Sequence, residues 1–175
     1  MCVLCGHRVR VHVTIPTGYF VAGGRPEIFM GDVHGIPTLT MLDVTHVMAD
    51  VCADAFEAHW IEVGPTVADL TTAIASQVGF QRADPVDVML GGFPAKKVEL
   101  ALDTRCPPPS RGQATLWAGH APENAFWLSE ASPVTAYIVD VTGERVVITT
   151  TRDLVVSGGD LAEVDAMVAS IQIVP

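Results

Sequence analysis

Two side chains that could bind a metal ion, Asp32 and His34, stand close together near the start of the chain. They follow Pro26–Met30, a run typical of a short strand, and belong to the glycine-flanked segment Gly31–Gly35, Gly-Asp-Val-His-Gly. Residues two apart in extended backbone point to the same side, so the carboxylate and the imidazole could ligate one ion. A metal held in this way can activate water and polarise a substrate oxygen.

Gly31–Gly35 resembles the first metal-binding motif of the calcineurin-like metallophosphoesterases, in which the aspartate and the histidine ligate one metal of a two-metal site. The resemblance implies a metal-dependent phosphoester hydrolase that uses Asp32 and His34. That family also carries a second Gly-Asp motif and a Gly-Asn-His motif. The second Gly-Asp here, Gly159-Asp160, opens a predicted helix, and Gly-Asn-His does not occur. We therefore favour a turn that uses glycine and aspartate for their backbone tolerance, and we expect no metal and no other cofactor.

Two adjacent aromatic residues, Phe126 and Trp127, are the candidates for binding. They belong to segment 118–133, which is rich in small and polar residues and which we predict to be a long loop. Exposed aromatic side chains in such a segment often anchor a partner or a ligand. In the alternative interpretation, which we favour, both rings fold back and cover the edge of a sheet.

The elements that must position these residues centre on Thr135–Thr150. Ala136–Val141 and Arg145–Thr150 are runs of β-branched and aromatic residues, and Thr142-Gly-Glu144 between them predicts a hairpin. Apolar side chains occupy both alternating faces of these runs. This pattern is typical of central strands in a sheet that is covered on both sides.

Two helices are predicted to cover the sheet. Thr66 and Asp69 have the spacing of a capping box ahead of an apolar stripe, and Gly79 is predicted to close that helix. Asp160–Ile171 carries a second apolar stripe. Segment 45–64 shows no clean period, and we predict it to be irregular.

The order of elements predicts the fold class. Strands joined by short turns pair antiparallel, so we predict an α+β fold. It consists of a single antiparallel β-sheet of about six to eight strands with two amphipathic helices packed on it. The 175 residues are predicted to form a single domain, 1–175, with a frayed terminus at residues 1–8.

Composition limits the partners and the compartment. The formal net charge is −10, and the lysines are Lys96 and Lys97 alone; such a surface repels phosphate backbones, so we expect no nucleic-acid partner. Since apolar runs are short, we expect no direct membrane span. The first residues lack the pattern of a signal peptide. We therefore expect an extracellular or cell-envelope location if a leader lies upstream, and a cytoplasmic one otherwise.

Four segments resemble a group of actinobacterial proteins: Pro65–Leu70, Asp87–Lys97, Tyr137–Gly143 and Ala166–Ile173. Members of that group are mostly secreted or lipid-anchored and have no assigned activity. The order of elements is also similar to the PsbP-like fold, which includes mycobacterial LpqN-type lipoproteins. The resemblance covers roughly residues 9–175 and implies an α/β/α sandwich at the cell envelope, without catalytic residues to transfer.

Cysteines at positions comparable to Cys52 and Cys106 occur in the similar secreted proteins, and this implies a disulfide between them. A bridge between these two residues would close a long loop and contribute on the order of 4 kcal/mol. The alternative is two unpaired buried thiols, because sequence alone does not fix the pairing.

Taken together, these features predict a non-catalytic, secreted or cell-envelope domain. Its expected partner is an unknown small ligand or an envelope protein. The alternative function is the metal-dependent phosphoester hydrolase built on Asp32 and His34.

Overall fold

Strands make up most of the described chain. The computed structural model describes residues 9–22, 27–30, 38–53, 59–103, 113–119, 125–129, 133–152 and 158–175. The predicted frayed terminus, 1–8, lies outside these ranges. The elements in chain order are β1 (Arg10–His12), β2 (Tyr19–Ala22), β3 (Glu27–Met30), β4 (Leu39–Leu42), β5 (His46–Met48), β6 (Trp60–Glu62), α1 (Val67–Ser76), β7 (Phe80–Arg82), β8 (Val86–Leu90), β9 (Phe93–Leu102), β10 (Gln113–Ala118), β11 (Ala125–Ser129), β12 (Val134–Val141), β13 (Glu144–Thr151), α2 (Gly158–Ala169) and β14 (Gln172–Val174).

The predicted hairpin is the centre of the largest sheet. Strands β12 and β13 pair antiparallel from Val134 opposite Thr151 to Val141 opposite Glu144. Both residues of the turn have positive φ, 53° at Thr142 and 89° at Gly143. This backbone matches the twist of the flanking strands, which is why two-residue hairpins favour it. The Asp140 carboxylate accepts a hydrogen bond from the Gly143 N–H at 2.8 Å and supports the turn.

The strands form three antiparallel sheets within the described residues. The largest has eight strands in the order β2-β3-β4-β13-β12-β9-β7, with β8 also paired to β9; the others are β11-β10-β5-β6 and β1-β14. The antiparallel α+β class is therefore confirmed, and the single sheet is wrong. The second sheet includes β5 and β6 from segment 45–64 and β11 from segment 118–133. Such short strands carry no readable period, and only pairing with distant strands defines them.

Both faces of the eight-stranded sheet are covered, as the hairpin pattern predicted. On β12, Ala136 and Ile138 lie in one core with α1 and the four-stranded sheet. Val139 and Val141 point the other way, into a second core with α2 and the β1-β14 pair. Alternation along one strand thus supplies two cores.

Helix α1 begins with the predicted capping box. The Thr66 hydroxyl accepts from the Asp69 N–H at 3.1 Å, and the Asp69 carboxylate accepts from the Thr66 N–H at 3.0 Å. These hydrogen bonds lower the pKa of Asp69 below its ordinary value of 3.8. The predicted closure at Gly79 is wrong, because the C-cap is Gln77. The buried Gln77 amide donates to the Met48 and Leu116 carbonyls at 2.9 and 3.0 Å, which ties the end of α1 to the four-stranded sheet.

Neither helix in the described ranges has the length and apolar character needed to cross a bilayer.

Candidate functional site

A cleft of about 360 Å³ opens between the β8–β9 hairpin and α2. The hairpin contributes Val88–Gly91, and the sheet beneath contributes Lys97 from β9 and Tyr137 from β12. These two residues are cross-strand neighbours, since Tyr137 stands opposite Lys97. Helix α2 closes the other side with Asp165, Val168 and Ala169. The volume lies at the lower end of the range of small-molecule sites.

The hairpin wall is held in place by close packing at its turn. Gly91 and Gly92 have positive φ, 59° and 92°. A Cβ atom on Gly91 would lie 2.6 Å from Ile173 Cγ1 and 3.0 Å from Ile173 N, so only glycine allows β14 to approach this closely. The Ile173 N–H also donates to the Gly91 carbonyl at 3.4 Å. The turn is therefore fixed against the β1-β14 pair.

The apolar part of the cleft consists of one buried and two half-buried side chains. Leu90 is buried, while Val88 and Val168 are half-buried against the α2-side core. Met89 also lines the cleft, but its side chain lies on the other face of β8 and is 67% exposed, which is unusual for a large apolar side chain. An apolar group that enters the cleft would contact Val88 and Val168.

The charged groups around the cleft are paired. Lys97 Nζ lies 2.6 Å from Glu99 Oε1, and Arg152 Nη2 lies 3.0 Å from Asp165 Oδ1. The hydrogen bond between Lys97 and Glu99 raises the pKa of Lys97 and lowers the pKa of Glu99. All four side chains are partly exposed, so each pair contributes little to stability. A ligand could therefore replace either partner at small cost.

Tyr137 supplies a neutral hydroxyl at the base of the cleft. Burial raises the pKa of Tyr137 above 10.0, and the nearby Lys97 charge opposes this shift. At neutral pH the group is a phenol that can donate and accept a hydrogen bond. Among the described residues, the lining offers apolar side chains, the Lys97 ammonium, the Asp165 carboxylate and this phenol for contact with a ligand.

The predicted metal ligands Asp32 and His34 lie outside the described residues. Within the described ranges, no group of three or more His, Cys, Asp or Glu side chains is placed to hold a metal ion. The hydrolase alternative therefore stays a prediction.

The aromatic pair occupies a strand and not the predicted loop. Phe126 on β11 is 4% exposed, and its ring stacks on Trp117 with centroids 5.7 Å apart and planes 20° apart. For Phe126 the interpretation in which the ring folds back onto the sheet is the one observed. The Trp127 backbone pairs with Thr115 of β10. The Phe126 ring therefore lies in the core, and binding by this pair stays a prediction.

Cys52 follows β5 and is disulfide-bonded. Its N–H donates to the Asp50 carboxylate at 2.9 Å. The predicted partner, Cys106, lies outside the described residues. The pairing of Cys52 with Cys106 therefore stays a prediction.

The cleft residues were missed by the sequence prediction, because they come from three distant parts of the chain. One local signal was present. The strand Val86-Asp-Val-Met-Leu90 places Met89 on the face opposite Val88 and Leu90, beside a two-glycine turn. A large apolar residue on the outer face of a hairpin indicates a surface that contacts something.

The comparisons with known proteins support a relationship in fold. No protein-family model and no curated protein matches this sequence. The chain is similar in structure to LpqN of Mycobacterium tuberculosis, a protein described as involved in cell envelope biogenesis. The TM-score is 0.51 and the identity 12%, with 100% of this chain and 90% of that chain covered. The likeness is one of fold alone.

Proposed function

We propose that the chain is a non-catalytic binding domain, secreted or held at the cell envelope, that takes a small ligand or part of a protein partner in the cleft between β8 and α2. The single observation that carries the proposal is the cleft itself. It combines an apolar wall with a neutral phenol and two partly exposed ion pairs. This composition, mostly apolar with a few convergent polar groups, is typical of binding sites.

The envelope location is supported by two weaker observations. The fold is similar to that of LpqN, which is described as involved in cell envelope biogenesis. In addition, Cys52 is disulfide-bonded, and stable disulfides are typical of oxidising compartments outside the cytosol. We propose Cys106 as the second cysteine of the bridge.

Binding in the cleft can be tested by amide NMR with a library of small aliphatic alcohols, carboxylates and amines. We expect shift changes at Gly91 and Ala169, which line the cleft. Ala169→Trp should fill the cleft and abolish these changes. Ala162→Trp is the matched control, since Ala162 is an exposed alanine on the same helix that does not line the cleft. Shift changes that survive Ala169→Trp would contradict the proposal, and so would a lack of shift changes both with every compound and with the peptide described below.

The alternative function, a metal-dependent phosphoester hydrolase, is supported by the Gly31–Gly35 motif alone. Its test is metal analysis of the purified protein together with turnover of an aryl phosphate. Stoichiometric metal and turnover, both lost in Asp32→Asn, would favour the hydrolase over the binding domain.

A further inference from the structure

Strand β8 has an open edge on the side of the cleft. Within the described residues it pairs with β9 alone. The two-residue turn makes Leu90 and Phe93 a hydrogen-bonded pair, so the backbone groups of Val88 and Val86 also face β9. The N–H and C=O groups of Asp87 and Met89 consequently face away from the sheet.

Proline at position 94 fits this assignment. Pro94 stands opposite Met89, at a position where an antiparallel ladder makes no hydrogen bond across the pair. Its missing N–H therefore costs the hairpin nothing. The outward amides of β8 form a row to which another strand can add.

The side chains along this edge are unusually exposed. Val86 is 56% exposed and Met89 is 67% exposed. A strand laid beside β8 would cover both. Its alternate side chains would share the face of Val88 and Leu90, the face on which the cleft opens toward α2. In this mode of recognition, main-chain hydrogen bonds supply affinity and a neighbouring pocket supplies specificity.

Charge selects the occupant of the edge. The carboxylates of Asp87 and Asp165 are well exposed, at 85% and 65%, and each is in an ion pair, with Lys96 and Arg152 respectively, so the local charges balance and the net charge of the protein decides. The nearby lysines already have acidic partners, since Lys96 Nζ lies 2.7 Å from Asp87 Oδ1. A second copy of the chain carries the same net charge of −10 and is repelled, whereas a cationic segment is attracted.

We propose that the partner is an extended, positively charged peptide segment that adds to β8 as an antiparallel strand and places an apolar side chain in the cleft. This inference rests on the proposed binding function and names the partner of that same site. Its basic side chains lie on the face opposite the cleft, where Asp87 is exposed, and its backbone forms hydrogen bonds with the outward N–H and C=O groups of Asp87 and Met89.

The test uses a fluorescent synthetic peptide that alternates lysine with valine or leucine, and follows its anisotropy against the whole protein. Met89→Pro and Met89→Ala form a matched pair. Both remove the Met89 side chain, but only the proline removes the outward N–H, and proline is tolerated at such edge positions. We expect Met89→Pro to bind the peptide about 3- to 10-fold more weakly than Met89→Ala, the loss of one hydrogen bond. Thermal unfolding checks that both variants fold.

Three further binding measurements test which kind of partner occupies the edge of β8. A peptide N-methylated at alternate residues keeps its charge but cannot pair as a strand, and it should not bind. The same sequence with glutamate in place of lysine should not bind either. Ala169→Trp should weaken the binding of the parent peptide, whereas Ala162→Trp should leave it unchanged.

Specific results would overturn the inference. Equal affinity of Met89→Pro and Met89→Ala, or full binding of the N-methylated peptide, would exclude strand addition. Self-association that Met89→Pro disrupts would make a second copy the occupant. If compounds of the small-molecule library shift the amide resonances of Gly91 and Ala169 while the peptide does not bind, this inference fails and the proposed function stands. If neither binds, both fail.

Discussion

Replacing Gly91 with alanine should destabilise the protein through two separable effects. The first is backbone strain, since φ at Gly91 is +59°, a left-handed conformation that costs an L-residue roughly 1–2 kcal/mol. The second is steric, because the new Cβ would lie 2.6 Å from Ile173 Cγ1 and 3.0 Å from Ile173 N. Forcing an extra methyl into such packing costs about 1–3 kcal/mol. Together these effects should lower the free energy of unfolding by about 2–5 kcal/mol.

Gly92→Ala is the matched control for this prediction. Gly92 is in the same turn with φ +92°, yet a Cβ there meets no atom within 4 Å. It should show the backbone cost alone, about 1–2 kcal/mol. Urea unfolding followed by circular dichroism measures both variants, and the denaturant slopes show whether the transition stays two-state.

A double-mutant cycle identifies the source of the difference. Ile173 is 6% exposed, so Ile173→Ala alone should cost about 2–5 kcal/mol. In the Gly91→Ala background it also removes the clash, and the combined loss should be smaller than the sum of the single losses. If Gly91→Ala is no more destabilising than Gly92→Ala, or if the cycle is additive, β14 does not brace the hairpin and our reasoning is refuted.

Three other predictions concern the cap, the phenol and the bridge. Thr66→Ala should lose about 1 kcal/mol, as N-cap removal generally does. Because the pKa of Asp69 is depressed, the stability linked to its ionised form is present above pH 3.8 and is lost as pH falls through the folded-state pKa. In acid unfolding, the loss of stability over this pH range should therefore be smaller in Thr66→Ala than in the parent protein. The raised pKa of Tyr137 means that its neutral phenol favours the folded state; this contribution to the free energy of unfolding is complete below pH 10.0 and is lost as pH rises through the folded-state pKa. Tyr137→Phe should therefore unfold at higher pH than the parent protein, and its ultraviolet absorbance should show one late-titrating phenol fewer. Peptide mapping without reductant should join Cys52 to Cys106, and a fragment joining Cys52 to any other cysteine would contradict the predicted pair.

The parts of the fold predicted from sequence are those specified by neighbouring residues. The hairpin of β12 and β13 was readable because its apolar side chains alternate onto two faces and its turn contains a glycine. The start of α1 was readable because Thr66 and Asp69 are three residues apart. In both cases the residues that determine the structure lie within one turn or one strand of each other.

The second sheet was unreadable because its strands are defined by distant partners. Strand β5 has three residues, and Val47 pairs with Trp117 of β10 on one side and with Ile61 of β6 on the other. Such a segment has too few residues for a period to emerge. Phe126 was placed in a loop because its segment is rich in small and polar residues, whereas its ring is buried against Trp117 of the neighbouring strand.

The candidate site could not be predicted from the sequence because it depends on how β9 pairs with its neighbouring strands. Strand β9 is ten residues long and has two partners on one side, β8 along Phe93–Lys97 and β7 along Leu100–Leu102. Because β9 also pairs with β12, β8 becomes an outer strand whose length is set by the Gly91-Gly92 turn. An outer strand next to α2 leaves both an open edge and a gap beneath it.

Both lysines of the chain stand on this shared strand, and each is matched by a carboxylate on β8 or β9. Cross-strand and same-strand pairs of this kind add little to stability at such exposure. Their effect is to cancel the positive charge beside the cleft and leave the acidic character of the whole protein to act on an incoming partner. Asp87→Asn should therefore weaken the binding of a cationic peptide, because it removes one negative charge and leaves the Lys96 charge unpaired. Anisotropy titrations at low and high salt measure this. A loss of affinity that is equal at both salt concentrations would show that charge does not select the occupant of this edge.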